Sequence, residues 1–256
     1  MEFPVPGPVP FESAMLKVDR AKRHVNDLQA RLTAFLQSDF YRLRVDKDTE
    51  SGGYVVMYNT NPLPSDCALI LGDAIHNLAT PFDHIASELA VRIGLSGNKR
   101  RVQFPKHRGR DDVENVELFR EIVGAFPKLA SVILDFVKPY QTCDLNCWAL
   151  LELDNMDKHR LLIPIVTLSA LHGATVADGD GNAIEDMRLT VAAGGRLHVG
   201  GFSGPCQITD YGQPAFEITF PEGPYFGKQP VLPTLIQLTE FVENAVTLMR
   251  AAVAHG

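Results

Sequence analysis

The sequence predicts an α+β protein: a helical bundle core with a small antiparallel β-meander inserted before the C-terminal helix. Three observations lead there. Apolar residues recur at helical spacing through much of the chain ahead of Pro164. Beyond Pro164 the texture changes to short β-rich runs divided by glycine-rich turns. From about residue 231 helical spacing returns and holds to about 254.

The elements follow in order. Residues 1–11 read as an extended leader, because Pro4, Pro6, Pro8 and Pro10 deny it a helix. An amphipathic helix is expected over 12–38, where Met15, Val18, Val25, Leu28, Leu32, Phe35 and Leu36 face away from Lys17, Arg20, Lys22, Arg23 and Arg31. Tyr54–Tyr58 has strand composition and follows Gly52 and Gly53. Pro62 and Pro64 introduce a long helix ending near Gly94, followed by a polar loop over 95–110. Helices are expected at 111–125 and 127–137, the second stopped by Pro139, and again from Leu145 to about Arg160. The meander comprises Arg188–Val191, Arg196–Val199, Gln207–Thr209 and Ala215–Phe220. The last helix, 231–254, carries an apolar stripe of Leu235, Leu238, Phe241, Val242, Ala245, Leu248, Met249 and Ala252. The organisation is therefore a leader (1–11), a helical core (12–163), an antiparallel β region (164–228) and a C-terminal helix packing back on the core (229–256).

Composition narrows the classes of function. The chain has 256 residues, 45% hydrophobic and 21% charged, which suits a globular core and argues against global disorder. A formal net charge of −7 argues against a whole-surface nucleic-acid binder but leaves room for a local basic patch. The cysteines Cys67, Cys143, Cys147 and Cys206 are too scattered for a disulfide framework, and buried free thiols are expected. The amino terminus lacks the basic start and apolar run of a signal peptide, and no apolar stretch approaches the roughly 20 residues of a membrane span. A cytoplasmic protein without a membrane partner is expected.

Two segments concentrate polar chemistry in otherwise apolar surroundings. The first runs from Leu71 to His84 and the second from Leu151 to Arg160. No lysine or arginine occurs between Lys47 and Arg92, so the first segment is not an ordinary charged surface. At about 100° per residue, Asp73, His76, Asn77, Thr80, Asp83, His84 and Ser87 share one polar arc of the first helix. Pro81 cannot donate to the Asn77 carbonyl and is expected to kink or break that helix. In the second helix Trp148, Glu152, Asn155 and His159 fall on one side, with Asp154, Asp157 and Lys158 on the other. The expectation is that Glu152, Asn155 and His159 face the first helix, placing His76 and Asp83 opposite Asn155 and His159.

These residues resemble a group of bacterial and phage proteins that carry a GDxxHNLRxxLDH helix and, some way downstream, an LNNxDKHR element. Gly72-Asp73, His76-Asn77-Leu78 and Asp83-His84 match the first motif, and Leu153-Asp154-Asn155 with Asp157-Lys158-His159-Arg160 the second. The specific motifs lie within residues 65–165, and outside them the resemblance is one of layout. The Arg-x4-His spacing of that helix is also similar to the hallmark of HEPN-type helical domains. Many of those are metal-independent ribonucleases whose arginine and histidine act on the scissile phosphate. The resemblance implies a HEPN-like core, directed at RNA or a nucleotide, and dimeric. This chain departs at the decisive position, because Ala79 stands where the arginine would be. Catalysis of that kind is then lost, or the missing cation is supplied by Lys158 or Arg160.

On this reading His84 is the general acid/base, oriented by His76 and Asp83, and His159 completes the catalytic set. Asn77, Asn155, Lys158 and Arg160 contact the substrate. The loop from Lys99 to Arg110 adds basic residues and Phe104 as a strand and stacking contact. Two other classes of function compete with it. One is a metal site of His76, Asp83, Glu152 and His159, although the Glu-x-x-His pairs of di-metal bundles are missing. The other is a non-catalytic interaction module whose His–Asp–Asn network fixes helix register and whose leader packs on another subunit. No cofactor motif is present, since Gly179-Asp180-Gly181 and Gly194-Gly195 match no phosphate loop. Gly201–Gly204 lacks a nucleophile elbow. Asp178–Asn182 suits a hairpin turn better than a calcium loop.

Overall fold

A computed structural model describes residues 9–49, 52–95, 102–142, 146–190, 197–199 and 204–254. Most of the leader, Lys99–Arg101, Cys143, Gly194-Gly195 and Gly201–Ser203 lie outside the described residues. The fold is mixed, as expected, with helices α1 (Glu12–Leu36), α2 (Ser65–Arg92), α3 (Arg110–Glu114), α4 (Glu117–Ala125), α5 (Leu129–Ser131), α6 (Asn146–Asp157) and α7 (Val231–Ala254). A π-helical turn over Val132–Val137 continues α5 and closes on Lys138 in the left-handed region, just before Pro139. The strands are β1 (Tyr41–Lys47), β2 (Tyr54–Thr60), β3 (Ile165–Asp178), β4 (Ala183–Thr190), β5 (Leu197–Val199), β6 (Cys206–Asp210) and β7 (Gln213–Thr219).

The chain divides into two compact units. The helical unit takes the chain up to Ala30, Ser65–Ile163 and Glu222–Gly256. The β unit takes Arg31–Pro64 and Pro164–Pro221, so residues 31–64 belong with the β region and not with the expected 12–163 helical core. The reason lies in the β1–β2 hairpin, which pairs from Tyr41–Thr60 to Lys47–Tyr54, while β2 pairs on its other side with β5. The other sheet is built on β3, flanked by β4 on one side and by β6 and β7 on the other. The expected meander is therefore divided between two sheets, whose apolar faces share a core of Val56, Leu168, Leu171, Val176, Leu189 and Val199. Strand β3 is invisible to pattern reasoning because Ser169-Ala-Leu-His-Gly-Ala174 is poor in β-branched residues, and Gly173, at φ +70°, sits where the register shifts. The turn Asp178–Asn182 is a hairpin connection, in which the Asp178 carboxylate accepts from the Asn182 and Asp180 amides.

In the helical unit, α2 is the central element. Leu71, Ala74, Ile75, Leu78, Phe82, Ile85 and Leu89 are buried along it. Contrary to an expected break, α2 continues as one helix through Pro81, which is itself buried. Packing of this apolar face outweighs the roughly 3 kcal/mol that an interior proline costs a helix. Cys67 and Cys147 are buried free thiols, Cys206 is a half-buried one, and burial pushes the Cys147 thiol well above its ordinary range. Among the described residues no helix is long and apolar enough to cross a membrane.

Candidate functional site: a polar junction between two helices

Helices α2 and α6 meet at Gly72. A β-carbon there would collide with the Asp157 carboxylate, so glycine is what permits the close approach. Around this contact α6 buries Cys147, Leu150 and Leu153. Asp154 and Asp157 lie on the same arc of α6 as these residues, at about 100° per position. Asp154 is accordingly 7% exposed, and a buried carboxylate needs partners. It has two. His76 Nδ1 lies 2.9 Å from Oδ1, and Lys158 Nζ donates to Oδ2 at 2.5 Å.

This geometry assigns a role to Nδ1 of His76. A carboxylate only accepts, so Nδ1 carries the proton in that contact, and in the neutral ring Nε2 is the acceptor. Thr80 Oγ1 lies 3.4 Å from Nε2, but its hydroxyl donates to the His76 carbonyl oxygen at 2.6 Å. Its proton is committed to the backbone and does not block Nε2. The His76 side chain is 50% exposed, so the ring has a buried anchor and an open edge. Asp157, partly buried beside Asp154 and Asp73, has its carboxyl raised above the usual carboxylate range, chiefly by burial, although the Leu162 amide donates to it.

The polar arc of α2 serves two neighbours. On the side of His76, Asp83 Oδ1 accepts from the Phe104 amide at 2.9 Å, tying down the chain that leads to α3. On the other side lies α1. Asn77 is buried, donates to the Asp73 carbonyl oxygen at 2.8 Å, and has Lys17 Nζ 3.5 Å from its Oδ1. His84 is half-buried, and its pKa is lowered by burial and by the Lys17 charge against the opposing pull of Asp83. His24 of α1, itself buried, is lowered in the same way by burial and Arg20, with Asp73 and Asp27 opposing.

The structure therefore brings together His76, Asp154, Lys158 and Asp157, and it separates residues that the sequence grouped. His84 has the Lys17 charge of α1 beside it. Asn155, His159 and Arg160 are exposed, and the face of α6 turned to α2 is that of Asp154 and Asp157, the reverse of the expected orientation. Glu152 pairs with Lys106 at 2.5 Å instead of facing α2. Phe104 is buried against Phe82, with ring centroids 5.1 Å apart, so it offers no stacking surface. Arg110 is bound to Glu114 and Asp135. Asp154 is the residue that sequence reasoning passed over. Its signal was the shared arc with Leu150 and Leu153, together with Lys158 four positions on.

The set His76, Asp83, Glu152 and His159 does not converge, and among the described residues no group of three or more His, Cys, Asp or Glu side chains could hold a metal ion. No family model matches the sequence, and no curated protein or solved structure matches it either.

Proposed function

We propose that this chain is a HEPN-like protein directed at RNA, with an altered catalytic set centred on His76. Asp154 positions His76 through Nδ1, Nε2 takes the proton of a ribose 2′-hydroxyl, and Lys158 with Arg160 contacts the phosphate. The 2′-oxygen then attacks phosphorus, the bond to the 5′-oxygen breaks, and water protonates that leaving oxygen. The products are a 2′,3′-cyclic phosphate and a 5′-hydroxyl. The observation that carries this reading is the single buried carboxylate holding an imidazole and an ammonium on its two oxygens, with the imidazole edge open to solvent. Lys158 stands in for the arginine that Ala79 replaces. His84 and Asp83 remain in the proposal only as flanking groups, while Asn77, turned to α1, and Asn155 and His159, on the face of α6 away from α2, take no part in it.

The test is a labelled single-stranded RNA incubated with the protein at low salt and with chelator present. Loss of cleavage in His76→Ala, with the melting temperature retained, supports the reading. An intact fold that neither binds nor cleaves RNA overturns it.

A second reading is favoured by one observation, the burial of the Ala79 methyl at 2% exposure. An arginine there would have its charge inside the packed face of α2, so the junction would serve to fix helix register. Function would then lie in a protein partner or in homodimer formation. A strict monomer in light scattering counts against this reading.

A further inference from the structure

Resting on the His76 reading above, we propose that Asp157 is the general acid of the same reaction, delivering a proton to the 5′-oxygen as its bond to phosphorus breaks. Gly72 and His76 are four positions apart on α2, so they share a face and stand about 6 Å apart along the axis. Asp154 and Asp157, three positions apart on α6, share the face turned to them. Asp154 meets His76 and Asp157 meets Gly72, so the Asp157 carboxyl lies within about one helical turn of His76 along α2. Helical side chains lean toward the N-terminus of their helix, which tips the imidazole to the Gly72 side. A base and an acid so placed can flank a single phosphate.

Asp157 is placed both to hold a proton and to release it. The residue is half-buried, and its Oδ1 accepts from the Leu162 amide at 3.4 Å. Oδ2, lying against Gly72, has no hydrogen-bond partner among the described residues and is not closed off from solvent. The groups around it are Asp154 on α6 and Asp73 and His76 on α2, with Lys158 bound to Asp154. Burial and the two carboxylates favour the protonated form, while the Leu162 amide and a charged His76 oppose it. His76 gains its charge when Nε2 takes the 2′-hydroxyl proton, and that charge weakens the hold of Asp157 on its own proton. The base step thus promotes the acid step. Water then serves only to return the proton from Nε2 to Asp157 once the products leave, which restores both groups.

The experiment compares two substrates that differ in their leaving group. One is a labelled single-stranded RNA, whose 5′-oxygen must be protonated. The other is the para-nitrophenyl ester of uridine 3′-phosphate, whose nitrophenolate departs without a proton. Asp157→Asn keeps the size of the side chain but has no proton to give. It should lower RNA cleavage about a hundredfold or more and change turnover of the ester less than about threefold. In the unaltered protein, the fall in RNA cleavage at high pH, set by deprotonation of Asp157, should be absent with the ester. That comparison does not depend on the variant folding, and a fall of the same size with the ester overturns the general-acid role. Equal losses on the two substrates in a variant that melts normally, or no loss on RNA, overturn it too and leave the His76 reading standing. No cleavage of either substrate by the unaltered protein overturns that reading together with this inference.

Discussion

Asp154 Oδ1 lies 2.9 Å from His76 Nδ1, joining α6 to α2 through a carboxylate that is nearly closed to water and an imidazole that is half open to it. In its neutral form the imidazole is thereby held in one tautomer. Asp154→Asn removes that constraint, because an amide nitrogen turned to Nδ1 makes the ring accept there and protonates Nε2. Cleavage should fall about a hundredfold or more while RNA binding by anisotropy stays. Retained cleavage with an unchanged pH profile would separate His76 from the chemistry.

Lys158 is half-exposed, so its bond to Asp154 contributes little to stability, on the order of 1 kcal/mol or less. The proposed role on the phosphate should show in the salt dependence instead. Lys158→Ala is expected to reduce the slope of log affinity against log salt by about 0.7, the value of one single-strand phosphate contact. Titrations at several salt concentrations check this, and an unchanged slope removes Lys158 from the interface.

Gly72 and Asp157 set how closely the two helices approach. Gly72→Ala forces a methyl into the Asp157 carboxylate and should destabilise the helical unit by about 1–3 kcal/mol. Adding Asp157→Ala clears the space and should recover most of the loss, giving a clear coupling energy in denaturant melts. Additive losses would mean that the close approach is not what glycine provides.

His84 titrates against stability with a definite sign. Its folded pKa lies below the unfolded value, through burial and Lys17, so the unfolded chain binds protons first as the pH falls. Stability should therefore drop on going from about pH 7.5 to about pH 5.5, and His84→Gln should flatten part of that slope. Melting temperatures across the range test this, and a variant with an unchanged or steeper slope contradicts it.

Much of the helical framework is legible in the sequence because it is written in periodicity. Residues 231–254 match α7, and α2 begins just beyond Pro64. The β unit is less legible. Strand β3 is rich in alanine and carries a glycine bulge, and the apolar residues of β1 alternate with arginines that mask it as charged surface. The candidate site was half visible. His76, Lys158 and Gly72 stand in quotable motifs, but the orientation of α6 depends on Cys147, Leu150 and Leu153, and these carry Asp154 and Asp157 inward with them. Pro81 shows the same competition: a local rule for helix breaking yields to the apolar face on which the residue sits.

Ala79 is the point where motif and packing diverge. Ala79→Arg would restore the motif yet place a guanidinium in a site 2% exposed. It should destabilise the fold by about 3 kcal/mol or more without raising cleavage. A stable and more active variant would return the catalytic cation to α2.

The most direct test of the account is metal-independent turnover of a labelled single-stranded RNA by the unaltered protein and by His76→Ala. The account predicts cleavage with chelator present, leaving 2′,3′-cyclic phosphate ends, and its loss in a variant that melts at the same temperature. Equal cleavage by the two proteins, or none by the unaltered one, would contradict it.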